Sequence, residues 1–314
     1  MRIRQLIFSQ GLGGAEEHVR GISRYFAGER PGPKWRILHS HLPKADVCGF
    51  LWTRCPVFQK YDKWVVTVHG EYKRWRGRCF LPVVAKMWAK ADGVVAISKG
   101  VKEWLVGMGV SQEKIRVIYY GVDVPRIQEL SMRSCGGAQF ILGSVGRLEP
   151  RKGFDILIRA MPEVLVNHPR TMLKIVGRSD RGYGEVLKRL VHGLGIDHHV
   201  EFLGELPHEK INEFLSGLTL YVQPSREEGL GLAVLEAMAA GKAVVVSDIP
   251  AFREVVPEWY PTVREGEWGE KLSLKLRMKP SLSKAIGDVL REHVRKNFSV
   301  EAMVEKLEEF YENL

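Results

Sequence analysis

The chain has 314 residues, 45% of them apolar and 27% charged, with a formal net charge of +10. That length accommodates two α/β domains of ordinary size, and the composition excludes a disordered or fibrous chain. No apolar run reaches the roughly 20 residues of a membrane-spanning helix, and no hydrophobic signal segment opens the sequence, so a cytoplasmic protein is expected.

Short β-branched runs alternate with helical patterns from end to end, which predicts parallel α/β architecture. Strands are expected near Ile3–Phe8, Arg36–His39, Val65–His69, Gly93–Ile97 and Ile115–Tyr119, with helices near Ala15–Ala27, Leu81–Ala89 and Lys99–Met108. Pro125–Ala138, with its Ser, Arg and Gly136-Gly137, reads as a linker. The alternation restarts with strands near Phe140–Val145, Leu173–Val176, Val200–Phe202, Leu220–Val222 and Ala243–Val246. Helices are expected near Phe154–Val166, Glu185–Val191, His208–Leu215 and Leu232–Ala239, then two more over Leu282–Lys296 and Ser299–Asn313. The division is therefore 1–134 and 135–298, with a last helix over 299–314 packing back on the first domain. Two doubly wound domains facing across a cleft would hold ligands at the carboxyl ends of both sheets.

Charge is unevenly spread. Residues 1–124 carry 21 Lys/Arg against 10 Asp/Glu, and the remainder 26 against 27. Such asymmetry points to an anionic partner on the first half, whether lipid, lipid-linked phosphate or nucleic acid, or else to a solubilising surface. Its densest part is Lys73, Arg74, Trp75, Arg76 and Arg78, where cations flank an aromatic ring as at a membrane interface or a stacking surface for single strands. Cys48, Cys55, Cys79 and Cys135 have no metal-ligand spacing and read as free thiols, and His198-His199 reads as a loop pair, so no metal is expected. Glu outnumbers Asp 28 to 9, a bias that hints at a thermophilic source.

Four segments carry chemistry, each just after an expected strand. Gly11-Leu12-Gly13-Gly14-Ala15-Glu16 nearly matches a dinucleotide fingerprint but has Glu16 in the sixth place, and no acidic residue ends the next strand. His69 stands at the tip of a buried strand before Gly70, and His39 and His41 line the same edge. Gly146-Arg147-Leu148-Glu149-Pro150-Arg151-Lys152-Gly153 brings Arg147 and Lys152 to a loop that turns into a helix, where two cations suit a diphosphate. Arg151 reads as a solvent-facing loop cation. Finally, Glu228 and Glu236 stand eight positions apart across Gly229-Leu230-Gly231, which opens a helix at Leu232 and offers unpaired N–H groups to phosphate.

The Glu228–Glu236 spacing, with Gly146–Gly153, resembles the signature of family 4 retaining, nucleotide-sugar-dependent glycosyltransferases of the GT-B fold. Asp92–Lys99 and Ile115–Asp123 resemble further segments of that family, although Tyr120 stands where asparagine is usual and Ile249–Phe252 replaces a glycine pair. The resemblance implies that Gly13, Gly14, Gly146, Arg147 and Lys152 neutralise the donor diphosphate together with Gly229, Leu230, Gly231 and Leu232. It also implies that Arg178, Phe202 and Leu203 border the base and ribose, Glu236 holds the ribose and Glu228 the donor sugar. His69 then lies near the transferred sugar, and Glu228 is not a covalent nucleophile.

The implied reaction is metal-free front-face transfer of a hexosyl unit from a UDP- or GDP-sugar, with retention, to a glycan or lipid-linked acceptor. No cofactor is needed. The basic first half places such an enzyme on the inner face of an anionic membrane. A nucleotide-sugar 2-epimerase of the same fold, or a basic nucleic-acid-binding protein, are the alternatives.

Overall fold

The computed structural model describes residues 2–7, 36–41, 61–70, 81–124, 140–179 and 182–314. The expected helix at 15–27, the linker at 125–138, the Gly13-Gly14 loop and the cationic segment at 73–78 lie outside the described residues. Two compact units emerge: Met1–Gly121 with Asn297–Leu314, and Val122–Lys296. The unit boundary thus falls at Gly121, and the chain returns to the first unit at Asn297.

In the first unit five strands form one parallel sheet in sequence order: β1 (Arg2–Ile7), β2 (Arg36–His41), β3 (Lys63–Val68), β4 (Gly93–Ala96) and β5 (Ile115–Val117). β3 buries Trp64 to Val68 and β4 buries all of Gly93–Ala96, as strands covered on both faces require. Helices α1 (Leu81–Trp88) and α2 (Lys99–Gly107) separate the later strands, and α2 starts where the Ser98 hydroxyl accepts from the Val101 N–H. The sheet core is completed from far along the chain: Ile37, Val65, Val95 and Ile118 pack against Met303, Val304, Leu307 and Tyr311 of the last helix.

The second unit contains β6 (Phe140–Val145), helix α3 (Phe154–Asn167), β7 (Thr171–Val176), α4 (Tyr183–Gly193), β8 (Val200–Gly204), α5 (His208–Ser216) and β9 (Leu220–Gln223). It continues through α6 (Leu232–Ala239), β10 (Val244–Val246), α7 (Pro250–Val255), α8 (Trp268–Leu276) and α9 (Pro280–Asn297); α10 (Val300–Glu312) belongs to the first unit. Its parallel sheet runs β10-β9-β6-β7-β8. The chain winds one way from β6 and later the other, so the order reverses between β6 and β9. The strand ends at such a reversal are where open α/β sheets place their ligand-binding loops. α3 buries Phe154, Leu157, Ile158, Met161 and Val164, an i, i+3, i+4, i+7 stripe.

Helices α7 and α8 were not foreseen. Around α8 the leucines at 272, 274 and 276 alternate like a strand, yet the buried large side chains are Trp268, Leu272 and Leu276, four apart and beside Gly269 and Ser273, and Leu274 is 48% exposed. The helical period wins because α8 packs along α3 rather than joining the sheet.

Candidate active site

The loops that leave β6 and β9 are bonded to each other at the switch point. The Arg151 carbonyl accepts from the Arg226 N–H at 2.8 Å, and the Arg226 guanidinium grips Asp155 through two 2.8 Å bonds and the Pro150 carbonyl at 2.9 Å. Gly153 makes this approach possible. It has φ 68°, and a Cβ there would stand 1.9 Å from the Pro224 carbonyl oxygen.

The approach delivers Lys152 to Glu228. The Lys152 Nζ donates to Glu228 Oε1 at 2.5 Å, and Arg151 Nη1 lies 3.9 Å from Oε2. The Glu228 side chain is only 8% exposed and Lys152 only 14%, so this pair is poorly screened. Arg151 is therefore no free loop cation: its Nε also meets Glu149 at 2.6 Å. Arg147 is more open, with its guanidinium 3.5 Å from Glu149.

Just beyond Glu228, Gly231 adopts φ 100° and caps the start of α6 at Leu232. A Cβ on Gly231 would strike the buried Phe252 ring at 2.6 Å, so Phe252, from the segment that replaces a glycine pair, is a wall against which this turn is built. Leu230 is buried, Gly229 and Glu236 are partly so, and Glu236 lies one turn into the helix. Gly146 leads from β6 into the cationic loop, while Arg178 is exposed and Phe202 and Leu203 are half-buried at the ends of β7 and β8.

In the first unit the chemistry is different. Period-two side chains put His39 and His41 on one face of β2 and Thr67 and His69 in line on β3. His39 is fully buried, with Nδ1 2.6 Å from the Tyr311 hydroxyl and Nε2 2.6 Å from Thr67 Oγ1. Its ring stacks on His41 at 4.3 Å, and His41 Nδ1 lies 3.2 Å from His69 Nε2. His69 Nδ1 is bonded to the Tyr120 hydroxyl. Desolvation pushes both His39 and His69 down to about 3, so both rings are neutral at ordinary pH. Tyr120, the departure noted in the sequence, thus touches the histidine that the resemblance singles out.

Comparisons with known proteins follow the same division. Residues 136–271 match the family described as Glycosyl transferases group 1, and residues 18–126 match Glycosyltransferase Family 4. A lipopolysaccharide core biosynthesis mannosyltransferase, LpcC of Rhizobium leguminosarum, is 31% identical over 295 residues, covering 89% of this chain and 78% of that protein. The chain belongs to glycosyltransferase family 4.

Another family member, a GDP-mannose-dependent monoacylated phosphatidylinositol monomannoside mannosyltransferase of Corynebacterium glutamicum, is 35% identical over 53% of this chain and 45% of its own length. Among solved structures, Anabaena HepE in complex with UDP-glucose superposes with a TM-score of 0.81 at 20% identity, with full coverage of both chains. Sucrose-phosphate synthase of Thermosynechococcus elongatus follows at 0.72 and 22%, covering 95% of this chain and 76% of that one. The fold is GT-B, and the chain is related to mannosyltransferases. Among the described residues no cluster of His, Cys, Asp or Glu could hold a metal ion, and no helix is long and apolar enough to cross a membrane.

Proposed function

We propose that this glycosyltransferase moves a hexosyl unit from a nucleoside diphosphate sugar to a glycan or lipid-linked acceptor, with retention and without a metal. The observation that carries the reading is the Lys152–Glu228 contact at the switch point, beside the opening of α6. Three cations, Arg147, Arg151 and Lys152, surround the loop, and together with a helix N-terminus they match the charge a departing diphosphate develops. A metal would supply the same stabilisation, so none is required. Glu236 takes the ribose hydroxyls and Glu228 the sugar hydroxyls, which aims the anomeric carbon at the acceptor. His69, neutral and held by both ring nitrogens, orients the transferred sugar and does not serve as a charged acid. With Glu228 committed to binding, a leaving phosphate oxygen takes the acceptor proton on the front face.

The names of the relatives agree with this donor class: LpcC and the Corynebacterium enzyme are called mannosyltransferases, the latter GDP-mannose-dependent, and HepE is described with UDP-glucose. The excess of cations in residues 1–124 supports an anionic, lipid-linked acceptor met at a membrane surface. Calorimetry with UDP and GDP tests the donor site. One of them should bind, and Lys152→Ala should weaken it by about 2 kcal/mol, the scale of a charge-assisted hydrogen bond. Affinity unchanged by that substitution would remove the diphosphate from this loop. Retention is tested separately, by the anomeric coupling of the product in proton NMR.

A further inference from the structure

β9 is an interior strand, flanked by β10 and β6, where apolar residues are expected on both faces. Leu220 and Val222 obey. Tyr221 and Gln223 do not, and with Ser225 they recur at every second position. All three are at most 1% exposed. Three polar side chains in a row inside a core cost stability unless each is satisfied.

Each of them is. The Tyr221 hydroxyl donates to Gln223 Oε1 at 2.6 Å, Gln223 Nε2 donates to Ser225 Oγ at 3.0 Å, and Ser225 Oγ donates to Glu228 Oε1 at 2.8 Å. The direction is set by the last link. An ionised carboxylate only accepts, so Ser225 must give it its single proton. The serine oxygen then has to accept from the glutamine amide, which turns Nε2 toward Ser225 and Oε1 toward Tyr221, and the phenol must donate. Burial and the nearby charges of Glu236 and Glu228 push the Tyr221 phenol well above its ordinary range, which keeps that proton in place.

We infer that Tyr221, Gln223 and Ser225 form a positioning chain that holds the Glu228 carboxylate in the orientation in which it meets the donor sugar. The chain and Lys152 both spend their bonds on Oε1, leaving Oε2, with Arg151 only at 3.9 Å, as the oxygen turned to sugar hydroxyls. A carboxylate fixed this way loses no rotational freedom on binding, so its contact counts fully toward placing the anomeric carbon. This rests on the reading of Glu228 as the sugar contact.

The test is calorimetric and needs no acceptor. GDP-mannose and GDP, and UDP-glucose and UDP, are titrated into the whole protein, and the gain of sugar nucleotide over nucleoside diphosphate is the readout. Ser225→Ala should cut that gain by about tenfold, Gln223→Met by about threefold and Tyr221→Phe by about twofold, with nucleoside diphosphate affinity unchanged in all three. Ser225→Thr should restore the gain, and Ser225→Ala should add no loss to Glu228→Gln. If Ser225→Ala does not fold, Gln223→Met carries the same test against Glu228→Gln. A Ser225→Ala protein with the full gain, or an equal loss in the Glu228→Gln background, overturns the positioning chain. A Glu228→Gln protein that keeps the full gain, or a wild type with no gain for either sugar, overturns the sugar contact itself and the chain with it.

Discussion

The two units place polar chemistry at the carboxyl ends of parallel strands in opposite ways. In the first unit three imidazoles lie side by side, bonded to Tyr120, Thr67 and Tyr311, and desolvation keeps two of them neutral. In the second unit charges are kept and paired: Glu228 with Lys152 and Arg151, Glu149 with Arg151, Asp155 with Arg226. Neutral rings add no field to their surroundings, whereas paired charges keep theirs. The same strand-end geometry therefore carries two kinds of polar site, separated by whether burial is met by losing the charge or by matching it.

Acid should break the comparison most sharply. The unfolded chain takes up protons on histidine below about 6.5, whereas His39 and His69 resist protonation down to about 3. Their stabilising contribution is thus complete above pH 6.5 and is lost as pH falls from there toward 3. Each ring should cost about 2 kcal/mol between pH 7 and pH 5. Denaturant midpoints across that range should show this loss, and His39→Gln should flatten it by one ring's share. A midpoint that does not move would mean the rings are open to water.

Next in size is the charged pair. Lys152→Met removes the nearest cation from a carboxylate that is 8% exposed and leaves it only Ser225 and the more distant Arg151, and should destabilise the second unit by about 3 kcal/mol. The double change Lys152→Met with Glu228→Leu should recover most of that in urea unfolding. Equal destabilisation by single and double changes would mean the loops, not the charges, carry the effect. Tyr311→Phe should then cost about 2 kcal/mol, because it orphans a buried ring nitrogen of His39. The loss should appear in amide exchange over β2 and α10 and not in the second unit. The smallest effect belongs to the surface. Asp155→Asn removes the bidentate partner of the partly exposed Arg226 and should cost about 0.5–1 kcal/mol, fading with added salt.

Most strands were legible because parallel strands covered on both faces write themselves as short β-branched runs, as in Val65–Val68 and Val244–Val246. The two glutamates and the cationic loop were legible because glycines and charges cluster where strands end. Arg151 was misjudged because its fate is set by Glu149 and Glu228 together, one of them 77 positions away. The stripe of Tyr221, Gln223 and Ser225 does have a sequence signal, polar residues alternating on a strand otherwise apolar. Only the partners show why they are tolerated.

The sequence by itself determined which residues could form strands, where the loops between them carry charge, and which family those loops belong to, because local backbone preference and the alternation of burial are written in neighbouring positions. Tertiary structure alone decided that Tyr311, 272 residues from His39, bonds its ring, and that Lys152 meets Glu228 across 76 positions. It also decided that the last helix completes the core of the first sheet. These contacts depend on how strands order within a sheet, and hydrogen-bonding capacity leaves no trace of its distant partner in the residues beside it.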